Sequence, residues 1–423
     1  MRLSADAVLL SLGGVPMVGN LATGGLIGLT PEGEVMCREL LAGEVSPDSV
    51  PQSCRELARH LEAGGYLEGP ARPREHVRSA YLHVTQRCNL SCRFCYSEGD
   101  DRNRLADPTL DELRAAVGLL AALGCERLTI SGGEPFLRDD LPEVVLLARD
   151  AGMSDVVVLT NGLLVDEKNV RPLADTVSCV AVAFDGASAD AVPHLRGSQN
   201  FSRLVRAIEE IGAAGIEARI LPTLHAANLD DMARYERLAE ELGATLSYSL
   251  LTADECELGG LALTAAQLRE LGERAACGGL PGDEPALPGG ARICARRSCG
   301  AGVSTLSVAA DGTVYPCHML HDRTLAMGNA FVDTADAVAA SPVAARMRAL
   351  DVEVVEGCAP CPLRHLCGGG CRARALMAGR GLLGADPYCE LSRSYYEAVG
   401  DQLAQRFGTR DLLLGVKGNS GDF

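Results

Sequence analysis

Cys88, Cys92 and Cys95 stand in the run Thr85-Gln86-Arg87-Cys88-Asn89-Leu90-Ser91-Cys92-Arg93-Phe94-Cys95-Tyr96. Thiolates at C-x3-C-x2-C spacing can occupy three corners of a [4Fe–4S] cube, which normally takes four protein ligands. The fourth iron is then open to a small molecule. A zinc knuckle is the competing use, but zinc favours paired C-x2-C hooks with a fourth ligand, and none lies nearby. Ser131-Gly132-Gly133-Glu134-Pro135 is a second candidate. Glycine lets the backbone approach a ligand, and a carboxylate there can accept hydrogen bonds from an ammonium group; alone, the stretch would be an ordinary turn. A second cysteine-rich stretch runs Cys299-x12-Gly312-x4-Cys317, then Cys358-x2-Cys361-x5-Cys367-x3-Cys371, and ends at Cys389. Two zinc ribbons would explain its C-x2-C pair but not the rest. Cys37, Cys54, Cys125, Cys179, Cys256 and Cys277 fall mostly in apolar runs, where a free thiol packs as a small hydrophobe.

Three segments must position these groups. From residue 80 to 251, apolar runs at Tyr81–Val84, Arg127–Ser131, Val156–Thr160, Ser178–Phe184, Glu217–Pro222 and Thr245–Leu250 alternate with helical runs. Leu110–Leu123, Phe201–Ala214 and Leu229–Leu242 have the 3.6-residue apolar period of amphipathic helices. Six β/α units in series imply parallel strands. A first strand feeding the cysteine loop suits a partial (β/α)6 barrel, with chemistry at the C-terminal strand ends; a doubly wound open sheet is the alternative. Residues 1 to 70 read as short strands, Val8–Leu12, Pro16–Leu21 and Leu26–Leu29, followed by two helices. One starts at Thr30-Pro31, with the hydroxyl as N-cap and proline in the first turn; the other covers Ser46–Ala63. Arg72-Pro73-Arg74-Glu75 is the expected linker. A Gly/Pro-rich connector from Gly278 to Gly290 leads to the cysteine-dense segment 290–406. There Thr305–Val308 and Thr313–Pro316 flank a hairpin turn at Asp311-Gly312. A helix over Leu391–Arg406 closes the segment, and 407–423 is a loose tail.

The chain of 423 residues is long enough for two or three domains, and 47% apolar with 22% charged residues is globular. No apolar run is long enough for a bilayer, and Met1–Leu12 is no secretory signal. These features predict a cytoplasmic protein without membrane partners, whose 17 cysteines serve metals rather than disulfides. A net charge of −17 argues against nucleic acid, which requires a basic face.

On the cysteine loop after the first strand and on Gly132-Gly133-Glu134-Pro135, the chain resembles the radical S-adenosylmethionine superfamily. That resemblance implies a cluster on Cys88, Cys92 and Cys95 whose open iron chelates S-adenosylmethionine. Phe94 then lies against adenine. Gly132, Gly133, Glu134 and Pro135 hold the methionine amino group, and Thr160-Asn161-Gly162 contacts ribose and carboxylate. Asp185-Gly186 and His194-Leu195-Arg196-Gly197 resemble stretches of peptide-modifying members, in which Arg196 would pair with the carboxylate. Ala183 and Leu195 depart from that pattern. The later cysteines are similar to the SPASM extension, which holds two auxiliary [4Fe–4S] clusters. By resemblance Cys299, Cys317, Cys371 and Cys294 ligate the first, and Cys358, Cys361, Cys367 and Cys389 the second. Residues 1–70 resemble the winged-helix domains that recognise leader peptides.

The resemblance implies a peptide maturase acting on a ribosomal precursor through a 5′-deoxyadenosyl radical, with a flavodoxin- or ferredoxin-type reductant. Tyr315-Pro316-Cys317-His318 lacks the aspartate of sulfatase maturases after the second cysteine. It is similar instead to maturases that install intramolecular thioethers, which are preferred here to carbon–carbon links. His318 could donate a hydrogen bond to cluster sulfur or simply pack. A radical dehydrogenase or epimerase acting on a small molecule, or an iron–sulfur electron carrier or peptide-binding scaffold without turnover, are the alternatives.

Overall fold

The computed structural model describes residues 1–69, 76–97, 102–190, 195–196, 200–277 and 293–407. The expected linker 72–75, the connector 278–290, His194, Gly197 and residues 408–423 lie outside them. The chain begins with β1 (Ala7–Leu12), β2 (Val15–Asn20), β3 (Leu26–Gly28), α1 (Pro31–Ala42) and α2 (Arg55–Ala63). The three strands form an antiparallel meander. Thr30 caps α1 by accepting from Gly33 N–H, and Met36, Cys37 and Leu40 pack with Val18, Leu61 and Tyr66. The helix expected over Ser46–Ala63 starts only at Arg55. Pro47 and Pro51 supply no amide and restrict the residues before them, so two 3-10 turns, Pro47–Ser49 and Gln52–Cys54, precede it.

The central region runs β4 (Ser79–His83), α3 (Leu110–Ala122), β5 (Arg127–Ser131), α4 (Leu141–Asp150), β6 (Asp155–Thr160), α5 (Glu167–Val170), β7 (Cys179–Phe184), α6 (Phe201–Ala213), β8 (Glu217–Leu224), α7 (Met232–Leu242), β9 (Thr245–Leu246) and β10 (Ser249–Leu250). Adjacent pairs from β4 to β8 are parallel, as are β8–β9 and β8–β10. The strand expected over Thr245–Leu250 is thus two short pieces. Between them Tyr248 is fully buried, with its hydroxyl donating to Met232 O at 3.2 Å. Side chains alternate across a strand, and here the alternation sorts two surfaces. Leu82, Leu128, Ile130, Val156, Val158, Val180, Val182 and Ile220 are buried in the main core. The odd-numbered Tyr81, Thr129, Val157, Ala181 and Arg219 line a cavity on the opposite face.

The remaining elements are α8 (Glu255–Leu258), α9 (Ala265–Ala276), β11 (Thr305–Val308), β12 (Thr313–Tyr315), β13 (Gly328–Asn329), α10 (Ala335–Ala339), α11 (Pro342–Arg348), α12 (Arg364–Cys367), α13 (Arg372–Met377) and α14 (Cys389–Phe407). The expected hairpin is present as antiparallel β11–β12. Its other edge adds to the parallel sheet, with β11 alongside β4 and Ser307 opposite Tyr81. One sheet therefore runs β10-β8-β7-β6-β5-β4-β11-β12-β13. It carries both cysteine groups at adjoining strands.

Candidate cofactor site

β4 ends at His83, and the loop that follows is fastened from outside. Arg138, almost wholly buried, donates to Val84 O at 3.0 Å and Pro108 O at 2.8 Å and pairs with Asp140 at 2.7 Å. Asp107 accepts from Thr85 Oγ1 at 2.5 Å and pairs with Arg87, which also reaches Leu137 O at 3.1 Å. These ties fix the backbone just ahead of Cys88. The two glycines of the Gly132-Gly133-Glu134-Pro135 stretch have a structural use beyond ligand approach. A Cβ on Gly132 would lie 2.4 Å from Thr85 O, and one on Gly133 would lie 2.1 Å from Arg87 O. Gly133 and Glu134 N–H groups bond those same carbonyls at 2.8 Å each. The turn after β5 is thereby laid directly on the cysteine loop.

Cys88, Cys92 and Cys95 are all half-buried. Burial pushes Cys92 up to about 11; nearby Arg196 opposes the rise, and Cys95 and Cys88 add to it. Cys88 is likewise raised by burial, with Leu90 N–H and Arg102 opposing and Glu134 and Cys95 reinforcing. Arg102 donates to Cys95 Sγ at 2.7 Å, and Leu90 N–H to Cys88 Sγ at 3.4 Å. Thiols gathered and raised together become thiolates once a metal is bound.

Glu134 is fully buried. Oε1 accepts from Phe136 N–H at 3.0 Å and Thr160 Oγ1 at 2.7 Å, and Oε2 from Asn161 N–H at 2.8 Å. A carboxylate offers about four acceptor sites, so Oε2 keeps capacity for one more donor, beside Cys88. Asn161 Nδ2 donates to Asn89 Oδ1 at 2.7 Å and lies 3.9 Å from Cys88 Sγ. Thr160, Asn161, Glu134 and the first cysteine thus meet. Arg196 lies near Cys92, but it is already paired with Asp185, at 2.6 Å from Nη1, and donates to Thr223 Oγ1 at 3.3 Å. Both Arg196 and Asp185 line a small cleft with Leu90, Asn161 and Ala183. Phe94 is half-buried beneath Arg93, whose guanidinium sits 4.8 Å from the ring centroid. Pro135 is buried and opens a 3-10 turn. Three thiols on one anchored loop, beside a carboxylate with a spare acceptor site, fit a cube with one open corner and a ligand bearing an ammonium group.

Across the sheet, Cys299, Cys317 and Cys371 pack on one apolar cluster with Ala301, Leu320 and Met347. Burial raises Cys299, and Cys371 adds to the rise. Asp386 accepts from Cys371 N–H at 2.6 Å and pairs with buried Arg374 at 2.8 Å. Cys358 is pushed up to about 11 by burial, then by Cys367, with Cys389 and Cys361 also acting on it. Cys299, Cys317 and Cys371 thus share one cluster, which does not include Cys294. Cys294 receives a hydrogen bond from Arg296 Nε at 3.0 Å and lies near Tyr395 and Tyr396. Among the described residues no group of three or more His, Cys, Asp or Glu side chains is arranged for a single metal ion.

Beside the second cysteine group, on the odd-numbered face of the sheet, lies a cavity of about 430 Å³, a volume typical of ligand sites. Cys299, Cys317, Cys367 and Cys371 border it, as do Tyr81 and His318. His318 lines the cavity and stacks on Tyr81 at 4.0 Å. It meets Tyr96 edge-on at 5.4 Å, and its Nδ1 is 3.6 Å from Cys317 Sγ. Burial drives His318 down to about 3, with His321 adding to the drop. Cys95-Tyr96 and Cys317-His318 thus bring the two cysteine groups into ring contact. The sequence reading did not single out Tyr96, Tyr81, His83 or His321; the odd-numbered positions of Tyr81 and His83 on β4 were the available signal.

The fold and this thiol-rich site define an iron–sulfur radical enzyme. The chain belongs to the radical SAM superfamily, whose family description matches residues 82–239. Residues 299–362 match a second description, SPASM, an iron-sulfur cluster-binding domain. The chain is 31% identical to mycofactocin maturase MftC of Mycobacterium ulcerans over 323 residues, 72% of this chain and 86% of that one. It is 34% identical to the AdoMet-dependent heme synthase of Methanosarcina barkeri over 163 residues, 38% of this chain and 46% of that one. In fold it is similar to anSMEcpe with bound AdoMet, with a TM-score of 0.62 at 20% identity, covering 78% of this chain and 98% of that one. It is also similar to Streptococcus suis SuiB bound to precursor peptide SuiA, with a TM-score of 0.61 at 15% identity over 92% and 99%. Its cofactors are S-adenosylmethionine and [4Fe–4S] clusters. Among the described residues no helix is long and apolar enough to cross a membrane.

Proposed function

We propose that this protein is a peptide maturase that forms an intramolecular cross-link, preferably a thioether, in a ribosomal precursor. The observation that carries the reading is the cavity bordered by Tyr81, His318, Cys299, Cys317 and Cys371, whose wall at His318 is met by Tyr96 from the loop of the first cysteine group. A substrate there would lie against the second group, with the first loop at its wall. Likeness to mycofactocin maturase and to SuiB adds support. In this reading Cys88, Cys92 and Cys95 hold the catalytic cluster. Cys299, Cys317, Cys371 and Cys294 hold the first auxiliary cluster, and Cys358, Cys361, Cys367 and Cys389 the second.

When bound, S-adenosylmethionine and the catalytic cluster supply a radical able to remove a hydrogen atom from a C–H bond. The chain's own part is placement. Glu134 Oε2 offers its remaining acceptor site to the ammonium group, and Arg196, oriented by Asp185, offers its free donors to a carboxylate. The strands facing the cavity form a partial (β/α)6 barrel whose walls exclude water. The N-terminal meander with α1 and α2 serves as a winged-helix-like unit for the leader, and a flavodoxin- or ferredoxin-type protein supplies electrons. Mass spectrometry of a co-expressed precursor tests the reading. A loss of two hydrogens and one alkylatable thiol per link is expected. Loss of hydrogens without loss of thiols would move the reading to a carbon–carbon link, and an unmodified precursor would overturn it.

A further inference from the structure

Arg372 is about 2% exposed, the largest of the fully buried side chains. It follows Cys371 and opens α13. Nη1 donates to Leu382 O at 3.0 Å and Gly384 O at 2.7 Å, and Nη2 donates to Gly369 O. Its Nε has no acceptor among the described residues. All three acceptors are neutral carbonyls. Two residues on, Arg374 has a carboxylate in Asp386, whereas no ion pair of Arg372 is found among the described residues. Burying a guanidinium without an anion is costly, and a missing countercharge costs more than the pair itself is worth.

The anions within its reach are cysteine sulfurs. Arg372 lines the cavity together with Cys299, Cys317 and Cys371. Cys367 lines the same cavity. Cys299 belongs to one auxiliary group and Cys367 to the other. Arg296, the neighbouring guanidinium on this wall, already has a sulfur partner in Cys294, whereas the Nε of Arg372 has none. We propose that Arg372 is the shared countercharge of the two auxiliary iron–sulfur sites and raises the reduction potential of both. A fixed positive charge favours the reduced, more negative state of a cluster. Both sites are thereby biased toward accepting electrons from the cavity they border. Arg372 acts through the clusters and is a positioning residue, not a catalytic one. The inference rests on the auxiliary ligand assignment above.

The test is a potentiometric titration, followed by electron paramagnetic resonance, of the reconstituted full chain and its Arg372→Met and Arg372→Lys variants. Iron per chain in the unsubstituted protein is read first. A content near one cluster, ~4 iron atoms, would remove the ligand assignment itself. With the auxiliary clusters present, Arg372→Met should favour their oxidised state at least tenfold, ~59 mV lower for a one-electron couple, and Arg372→Lys should recover most of the shift. An unmoved potential in Arg372→Met, or an equal fall in Arg372→Lys, overturns the role of charge and leaves the ligand assignment standing. If Arg372→Met loses auxiliary iron, the Lys variant decides. Retained iron at the original potential supports the countercharge, and loss there too means that shape is what the site requires.

Discussion

Glu134 keeps a carboxylate in full burial. Burial pushes its pKa up, and the bonds from Asn161, Thr160 and Phe136 pull it back. Three donors converge on it, so the group is specified as an acceptor. Glu134→Gln turns one oxygen into an amide nitrogen, which must then face Asn161 N–H or Phe136 N–H. An unsatisfied buried pair costs about 1–3 kcal/mol. The expected outcome is a modestly destabilised apoprotein that still takes up catalytic iron, yet whose resonance signal no longer changes when S-adenosylmethionine is added. A normal change in that signal would show that Glu134 organises the loop and does not meet the ligand. His321 makes a different prediction. Burial lowers it from the ordinary 6.5 to about 4, with Asp311 opposing, and buried His83 is lowered in the same cluster. The folded chain therefore binds fewer protons than the unfolded chain between those values. The stability this confers is complete above about 6.5 and is lost as pH falls toward about 4, at up to ~1.4 kcal/mol per pH unit for each histidine. His321→Gln keeps a partner for Ser307 Oγ, which lies 2.8 Å from Nε2. Its melting temperature should fall less steeply than the parent's across that window, and parallel curves would contradict the assignment.

At the scale of elements, the legible parts were those written in local pattern. Period-2 runs gave β5 with both ends right, and Thr30-Pro31 gave the start of α1, because alternation and capping are decided by neighbours in sequence. Proline at 47 and 51 also carried a local signal, and the helix expected over Ser46–Ala63 ran across both. The joining of β11 to β4 was not legible. Ser79 and Thr305 hydroxyls meet at 3.0 Å across 226 positions, and no short-range pattern fixes such a register. The same holds at the site. Cysteine spacing revealed the ligand candidates, but Asp107, Arg138 and Asp386, which hold the loops, lie at no characteristic offset from them. The pairing has a measurable consequence. With β11 alongside, β4 is an interior strand with neighbours on both sides. Amide hydrogen exchange in Ser79–His83 should therefore be as slow as in β5 and β6. Exchange at the fast rate of an unpaired edge would mean that the hairpin is not part of the sheet.

For the whole molecule, the N-terminal unit is seated on the segment that carries Cys294 and on α14. Ala295 N–H bonds Gly24 O at 2.9 Å, and Arg297 ties Asp6 to Asp351 at 2.9 Å each. The turn between β1 and β2 meets α14 so closely that a Cβ on Gly13 would lie 1.9 Å from Gly400 O. These contacts differ in weight. Arg297 and Asp6 are 37% and 49% exposed, and a pair so open to water contributes about 1 kcal/mol or less. The Gly13 contact is backbone against backbone with nowhere to yield, and Gly13 also holds a φ of +59°, so overpacking there costs about 1–3 kcal/mol. Gly13→Ala should then loosen the seat far more than Arg297→Met. Because the seat adjoins Cys294 and not Cys88, its loosening should reach the auxiliary side first. The expected record is faster amide exchange in β1 and β2, an altered auxiliary resonance and an unaltered response to S-adenosylmethionine. A larger effect of Arg297→Met than of Gly13→Ala would mean that the ion pair, not the glycine contact, holds the N-terminal unit in place.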